Sequence, residues 1–284
     1  MDDQCPRPLL SIIIPNYNNS ENLDFLLTDI AEEITRERIP AGDIEVIVKD
    51  GGSGDNFLSV VEKHANIISF WSSAPDDGQA DAIQTGFADA SGEWLLWQNS
   101  DDRFIKHWSK ILVKLRSSKF QKKYDVVLGG TLHCRLSDQR IYKLIPAIQP
   151  RLNRIKFMHE LPNQSTFFNA NLKPHSLMDK TFNFCMDFDL AAKILAQNSR
   201  IYSTKQLIGI YVDRPDNKTN TLQYVHDKER RTVVSTNGTP LQRRWLVKLL
   251  RFLGVFRPAP MLQALTHYPI STRPRYLSNY VWKV

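Results

Sequence analysis

The chain has 284 residues, 42% of them hydrophobic, with 37 Lys plus Arg against 30 Asp plus Glu and three Cys. Length and apolar share suit one large domain or a domain with an appendage, and they exclude disordered, collagen-like and disulfide-scaffold classes. The formal charge of +7, with a pI near 9.2, invites a nucleic-acid partner, but His226 to Val284 holds 11 basic and two acidic residues, leaving 26 basic and 28 acidic in residues 1–225.

In chain order, Leu9 to Pro15 (LLSIIIP) is a short branched apolar run ended by proline, which predicts a buried strand. Leu23, Leu26, Leu27, Ile30 and Ile34 then recur at helical spacing across 21–34, with Ser20 expected as the N-cap. A second apolar strand spans 44–48 and is closed by Asp50-Gly-Gly-Ser-Gly-Asp55; a helix near 57–65, a strand near 67–72 and an amphipathic helix around 79–90 follow. The very apolar segment Trp94 to Gln98 ends in Asn99-Ser100-Asp101-Asp102. Past it, the pattern predicts a helix near 108–115, a strand at 124–129, a hairpin-like pair near 132–136 and 140–144, loop then strand across 161–168, and a helix at 187–197. PDNKTNT after Arg214 reads as a loop and a domain edge.

Strands alternating with helices at this spacing predict an α/β fold: a mostly parallel, Rossmann-like sheet flanked by helices. In such sheets ligands bind beyond the carboxyl ends of the strands. Those ends here carry Pro15-Asn16-Tyr17-Asn18, Asp50-Gly51-Gly52, Asp76-Asp77-Gly78 and Asp101-Asp102. A carboxylate pair after a buried strand suits a hard divalent cation, with coordination positions left for the phosphates of a substrate. On spacing alone, a solvated turn accounts for Asp101-Asp102 equally well.

SIIIPNYN, DGGSGD and APDDGQADAIQTGFADASGEWLLWQNSDD, followed by PNQSTFF and FCMDFDLAAKIL, together resemble a family 2 glycosyltransferase with the A-type fold, over roughly residues 9–212. The resemblance implies that Pro15 and Tyr17 line the nucleotide pocket, with Tyr17 beside the base, and that Asp50 accepts a hydrogen bond from the base edge. It also implies that Asp81 faces the nucleoside, that Asp101 contacts the ribose or a metal, and that Asp102 ligates Mg²⁺ or Mn²⁺. Asp187 is then the expected general base, in apolar surroundings (Phe182, Phe184, Cys185, Met186, Phe188) that raise a carboxylate's pKa. Asp189, two residues on, cannot face the same cleft from a helix and fits a first-turn acid. Where the family carries Asn and often a basic residue before the helix glycine, this chain has Gln84 and Thr85 before Gly86. That departure leaves the sugar open.

The expected domains are a catalytic unit at 1–225, with a nucleotide part (9–102) and an acceptor part (103–225), and a basic extension at 226–284. The expected reaction is inverting transfer from a nucleoside-diphosphate sugar, UDP-linked, to a hydroxyl of a glycan or lipid-linked acceptor. A sugar nucleotidyltransferase would show a glycine-rich basic loop after the first strand, which PNYNNSEN lacks. A catalytically degenerate binding protein fits poorly with the joint presence of Asp101, Asp102 and Asp187. In the extension, Leu241, Trp245, Leu249, Phe252 and Phe256 recur at helical spacing opposite Arg244, Lys248 and Arg251. Such a helix suits an anionic lipid surface, or docking on the catalytic unit. The split charge thus favours a peripheral membrane contact through 241–256 over nucleic acid.

Cys5, Cys134 and Cys185 are odd in number and form no C-x-x-C, which favours a reducing compartment without structural zinc. MDDQCPRPLL lacks the marks of a signal peptide, and no stretch approaches the roughly 20 apolar residues of a membrane span. The expected location is cytoplasmic.

Overall fold

Every residue of β1 (Leu10–Asn16) is buried, so both faces of this strand need cover, as in the middle of a parallel sheet. The computed structural model, which describes residues 7–138, 140–154, 160–215 and 223–237, supplies it. β1 pairs in parallel with β2 (Ile44–Asp50) on one side and β4 (Trp94–Trp97) on the other, and β3 (Ile68–Ser73) extends the sheet beyond β2. The connecting helices are α1 (Ser20–Arg36), α2 (Phe57–Lys63) and α3 (Gln79–Asp89). Leu23, Leu26, Leu27 and Ile30 of α1 join Ile12 and Ile14 on one face. Ile83 and Phe87 of α3 join Ile13 on the other. The period of two in the strand and of 3.6 in the helices thus meet in two cores.

One local expectation is corrected. Ser20 is the first helical residue rather than the N-cap, a position held by Asn19. The Ser20 backbone N–H and hydroxyl both donate to Asp55, at 2.9 and 2.6 Å, so the helix start is fixed by the loop after β2.

The second half comprises β5 (Arg103–Phe104), α4 (Leu112–Leu115), α5 (Ser118–Lys123), β6 (Val126–Arg135), β7 (Arg140–Ile145), β8 (Thr166–Asn169), α6 (Pro174–Leu177), α7 (Met186–Ala196), β9 (Ile201–Asp213) and α8 (Gln223–Asn237). The sheet order is β3-β2-β1-β4-β8-β6-β9-β5, with β7 on β6. β8 runs antiparallel to β4 and β6, while β6 and β9 are parallel. Two expected strands, 124–129 and 132–136, are one continuous strand, β6. Gly129 and Gly130 do not end it but let β9 approach: a Cβ there would lie 2.2 Å from Ile208 and 2.6 Å from Leu207. The pairing register shifts at these glycines, as at a bulge.

The opening of the expected C-terminal extension is helical. Val233 of α8 is buried in the core with Leu190 and Ile194 of α7. The amphipathic segment 241–256 lies outside the described residues. Among the described residues, no helix is long and apolar enough to cross a membrane.

Asp29 of α1 and Arg103 of β5 form a buried, two-pronged ion pair, with Nη2 to Oδ1 at 2.6 Å and the second contact from Nε. Burial pushes the Asp29 carboxyl up to about 6, against the pull of Arg103. Asp29→Ala would leave the guanidinium buried without its counter-charge, a loss of about 3–5 kcal/mol. The expected melting temperature is lower by on the order of 10 °C in a calorimetric scan.

Candidate active site

Because β1, β2, β3 and β4 run parallel, the segments that follow them gather on one edge of the sheet. There Pro15, Tyr17, Gly51, Asp76, Asp101 and Arg214, among others, line a cleft of about 790 Å³. The Tyr17 ring is 66% exposed. A Cβ on Gly51 would meet the Asp76 carboxylate at 3.1 Å and the Tyr17 ring at 3.2 Å. The missing side chain therefore opens a slot between an aromatic face and a carboxylate.

Of the residues expected at the nucleotide, Pro15, Tyr17, Asp101 and Asp102 line the cleft, whereas Asp50 and Asp81 do not. Asp50 is 3% exposed and already accepts five hydrogen bonds. Asn16 Nδ2 and the Ser53 hydroxyl donate to Oδ1 at 2.8 and 2.5 Å. The Gly52 and Ser53 N–H groups and the Ser73 hydroxyl donate to Oδ2 at 3.2, 2.9 and 2.6 Å. Burial raises this carboxyl, but bonds from Ser53, Ser73 and Asn16 outweigh it and hold it below the usual range. These bonds shape the loop after β2, and the carboxylate that flanks Gly51 opposite Tyr17 is that of Asp76. Asp81 is held by Lys180, whose ammonium keeps its carboxyl below the usual range. Gln84, at the family's usual Asn, donates to the backbone oxygens of His175 and Met178 at 3.0 and 3.1 Å and ties α3 to α6.

The acid pair after β4 divides in a way spacing could not show. Asp102 is 1% exposed and is held from three sides. Gln164 and Asn99 donate to Oδ2 at 2.8 and 3.2 Å, and the Val212 N–H of β9 donates to Oδ1 at 3.1 Å. Burial, then the charge of Asp101, pushes the Asp102 carboxyl up. Asp101 is half-buried and faces the cleft. Two adjacent carboxylates with oxygen-only donors fit the chemistry of a hard cation, and of the two Asp101 is the more accessible.

A smaller cavity of about 250 Å³ adjoins the cleft and shares Gln79, Asn99 and Tyr211 with it. Asn99 Oδ1 accepts from Trp97 Nε1 at 2.7 Å and Gln79 Nε2 at 2.8 Å, which fixes the partition between the two spaces. Asp187, on the first turn of α7, lines the smaller cavity. Asp189 turns away, buried and paired with Lys193 at 2.7 Å. Helical geometry thus separates the two acids as expected.

Sequence reasoning missed several groups here. Arg214, read as a domain edge, is a cation in the larger cleft and donates to Asn22 Oδ1 at 2.5 Å. His133 and Tyr211 wall the smaller cavity. Glu229, one of only two acids in the basic extension, accepts the N–H groups of Asn183, Phe184 and Cys185 at 3.0, 2.9 and 2.9 Å. It holds the loop that delivers Asp187 and puts negative charge at the N-terminus of α7. Nothing in the spacing of the chain marked it. Glu229→Ala should cost about 2 kcal/mol, as three N–H groups lose a charged acceptor. Donor turnover should fall severalfold, with Glu229→Gln between the two; equal melting curves for all three proteins would discard this role.

The α/β sheet thus carries a carboxylate-bearing cleft at its strand ends and an adjoining cavity lined by Asp187. The chain matches the Glycosyl transferase family 2 model over residues 11–194, and it belongs to that family. An uncharacterized glycosyltransferase of Mycobacterium tuberculosis is 35% identical over 188 residues, 65% of this chain and 66% of the relative. The chain thus spans just under two thirds of that relative. Among solved structures, S. aureus TarS residues 1–349 in complex with UDP-GlcNAc superposes with a TM-score of 0.54 at 20% identity, covering 72% of this chain and 58% of that one. A mannosyltransferase from Pyrobaculum calidifontis, in complex with GDP-Man and Mn²⁺, gives 0.52 at 14% identity, over 97% and 88% of the two chains. Both share the A-type glycosyltransferase fold.

Proposed function

We propose that the protein is an inverting glycosyltransferase that moves a hexosyl or N-acetylhexosaminyl group from a nucleoside-diphosphate sugar, UDP-linked, to a hydroxyl of a glycan or lipid-linked acceptor. One observation carries this: the aromatic and acidic cleft opens beside a cavity whose single carboxylate among the described residues is Asp187. The bound UDP-GlcNAc and GDP-Man of the two structural neighbours support a nucleotide sugar as donor.

In this reading Tyr17, Gly51 and Asp76 receive the base, and Pro15 packs beside it. Asp50 and Asp81 act indirectly, by shaping the loop after β2 and the start of α3. Asp101, backed by Asp102, would hold Mg²⁺ or Mn²⁺; the Mn²⁺ of the mannosyltransferase supports such a cation. A divalent cation there supplies positive charge against the diphosphate. Arg214 adds a cation from the chain itself. Asp187 takes the proton of the acceptor hydroxyl as its oxygen bonds to the anomeric carbon. The bond from that carbon to the diphosphate oxygen breaks, and the nucleoside diphosphate departs. A single displacement inverts the anomeric centre.

The basic extension, through 241–256, would bring the enzyme to the inner face of a cell membrane, a placement that suits lipid-linked surface polysaccharide or lipopolysaccharide acceptors. Liposome flotation should show capture by anionic and not by neutral vesicles. The function itself is tested by incubating the protein and Mn²⁺ with a panel of nucleotide sugars and measuring release of nucleoside diphosphate. Release from at least one donor, stimulated by acceptor, is expected; none from any donor would falsify the assignment.

A further inference from the structure

The 22 residues between Asp102 and Asp125 hold eight basic side chains and no acid. The rest of residues 1–225 then carries 18 basic against 28 acidic residues, so a near balance of charge hides a segregated one. Arg103 is held by Asp29 and Arg116 by Asp43, and Lys106 is half-buried. The other five are exposed: Lys110 on the short 3₁₀ turn Trp108–Ile111, Lys114 of α4, and Lys119, Lys122 and Lys123 of α5. The carboxylates that border them, Asp43, Asp125 and Glu93, are bonded to Arg116, Arg200 and Gln121. A ring cluster ties the lysines of the two helices together. Phe120, Tyr124 and Tyr202 have centroids 4.9–5.2 Å apart, with Lys114 Nζ 5.7 Å over Tyr202 and Lys123 Nζ 5.2 Å over Tyr124. Ile111, Leu112 and Leu115 turn into the core, whereas Val113 is 78% exposed, with Lys110 and Lys114 beside it at helical spacing.

Resting on the membrane placement proposed above, though on residues outside the extension, we infer that this lysine face is a second docking surface, which lays the flank of α4 and α5 on an anionic lipid bilayer. Clustered lysines gain from the negative surface potential of such a layer, and Val113 offers an apolar contact at the level of the headgroups. A nucleic acid is met differently, by arginine forks on phosphates and by rings presented to bases. Here Arg103, Arg116 and Arg200 are committed to carboxylates, and the rings pack on one another. None of the five lysines lines the cleft or the smaller cavity, so docking through them is separate from the chemistry.

The full chain is sedimented with vesicles of phosphatidylcholine, with or without phosphatidylglycerol, and high salt should release it from the anionic ones. Lys110→Gln, Lys119→Gln and Lys122→Gln combined should weaken partitioning onto anionic vesicles by about a hundredfold, roughly fivefold for each lysine at the surface. Val113→Glu should weaken it severalfold. Melting curves and donor turnover in solution should match the wild type in both proteins. Arg244→Gln, Lys248→Gln and Arg251→Gln combined report on the extension separately. Wild-type vesicle binding by the lysine variant overturns this inference, whatever the extension variant does. Loss in the lysine variant with wild-type binding by the extension variant supports it and removes the extension's part. A lysine variant that keeps its vesicles but releases an oligonucleotide bound by the wild type assigns the face to nucleic acid and overturns the inference. No capture of the wild type by anionic vesicles overturns both membrane contacts and leaves glycosyl transfer standing.

Discussion

Asp187→Asn is expected to slow sugar transfer by roughly 10²–10⁴-fold, the usual contribution of a positioned general base. The amide keeps the shape of the side chain and its place in the smaller cavity, but it cannot accept the acceptor's proton. Donor affinity should change little, because Asp187 is not among the residues lining the larger cleft. The loss therefore falls on kcat rather than on donor KM. Asp189→Asn is the contrasting variant. Its carboxylate is buried against Lys193, so the change should lower the melting temperature and leave transfer largely intact. Wild-type turnover in Asp187→Asn, or a larger loss of turnover in Asp189→Asn, would move the base elsewhere.

Asp101 and Asp102 should separate with similar clarity. Asp101→Asn removes the carboxylate that faces the cleft, and kcat/KM is expected to fall roughly 10²–10³-fold as cation-assisted stabilisation of the diphosphate is lost. Its melting curve should match the wild type without metal, and the stabilisation that Mn²⁺ plus UDP confers on the wild type should vanish. Asp102→Ala acts through the fold as well. It strands Gln164 Nε2, Asn99 Nδ2 and the Val212 N–H in a buried setting. Each such group costs about 1–3 kcal/mol when unpaired, so the melting temperature should drop by on the order of 10 °C. Scanning calorimetry with and without Mn²⁺ and UDP distinguishes the two. An Asp101→Asn protein that retains both turnover and the metal-dependent shift would return the cation to Asp102.

The nucleotide half was legible because its signals are local. The branched run of β1, the apolar spacing of α1 and the turn chemistry after β2 and β4 each predict their own element, and consecutive parallel strands place their ends together whatever else the chain does. The acceptor half was read less well. β9, 13 residues long between β6 and β5, went unassigned because its face alternates irregularly and its cover comes from distant residues. Gly129 and Gly130 read as a strand end, since the reason for them, the approach of Leu207 and Ile208, lies almost 80 residues further on.

The sequence by itself determined the class of fold, the edge of the sheet where chemistry gathers and the residue types available there: two aspartates after β4, one at the head of α7, a tyrosine after β1. Only the tertiary structure decided which of those groups line a cavity and which are held by other side chains. Asp50 is bonded to Asn16, Ser53 and Ser73 and Asp81 to Lys180, Asp102 lines the larger cleft but is held by Gln164 and Val212, and Asp101, Asp76 and Asp187 line the two cavities. The reason is physical. A carboxylate has a limited set of lone pairs, and the donors that claim them arrive from segments tens of residues away, set by packing rather than by any local spacing.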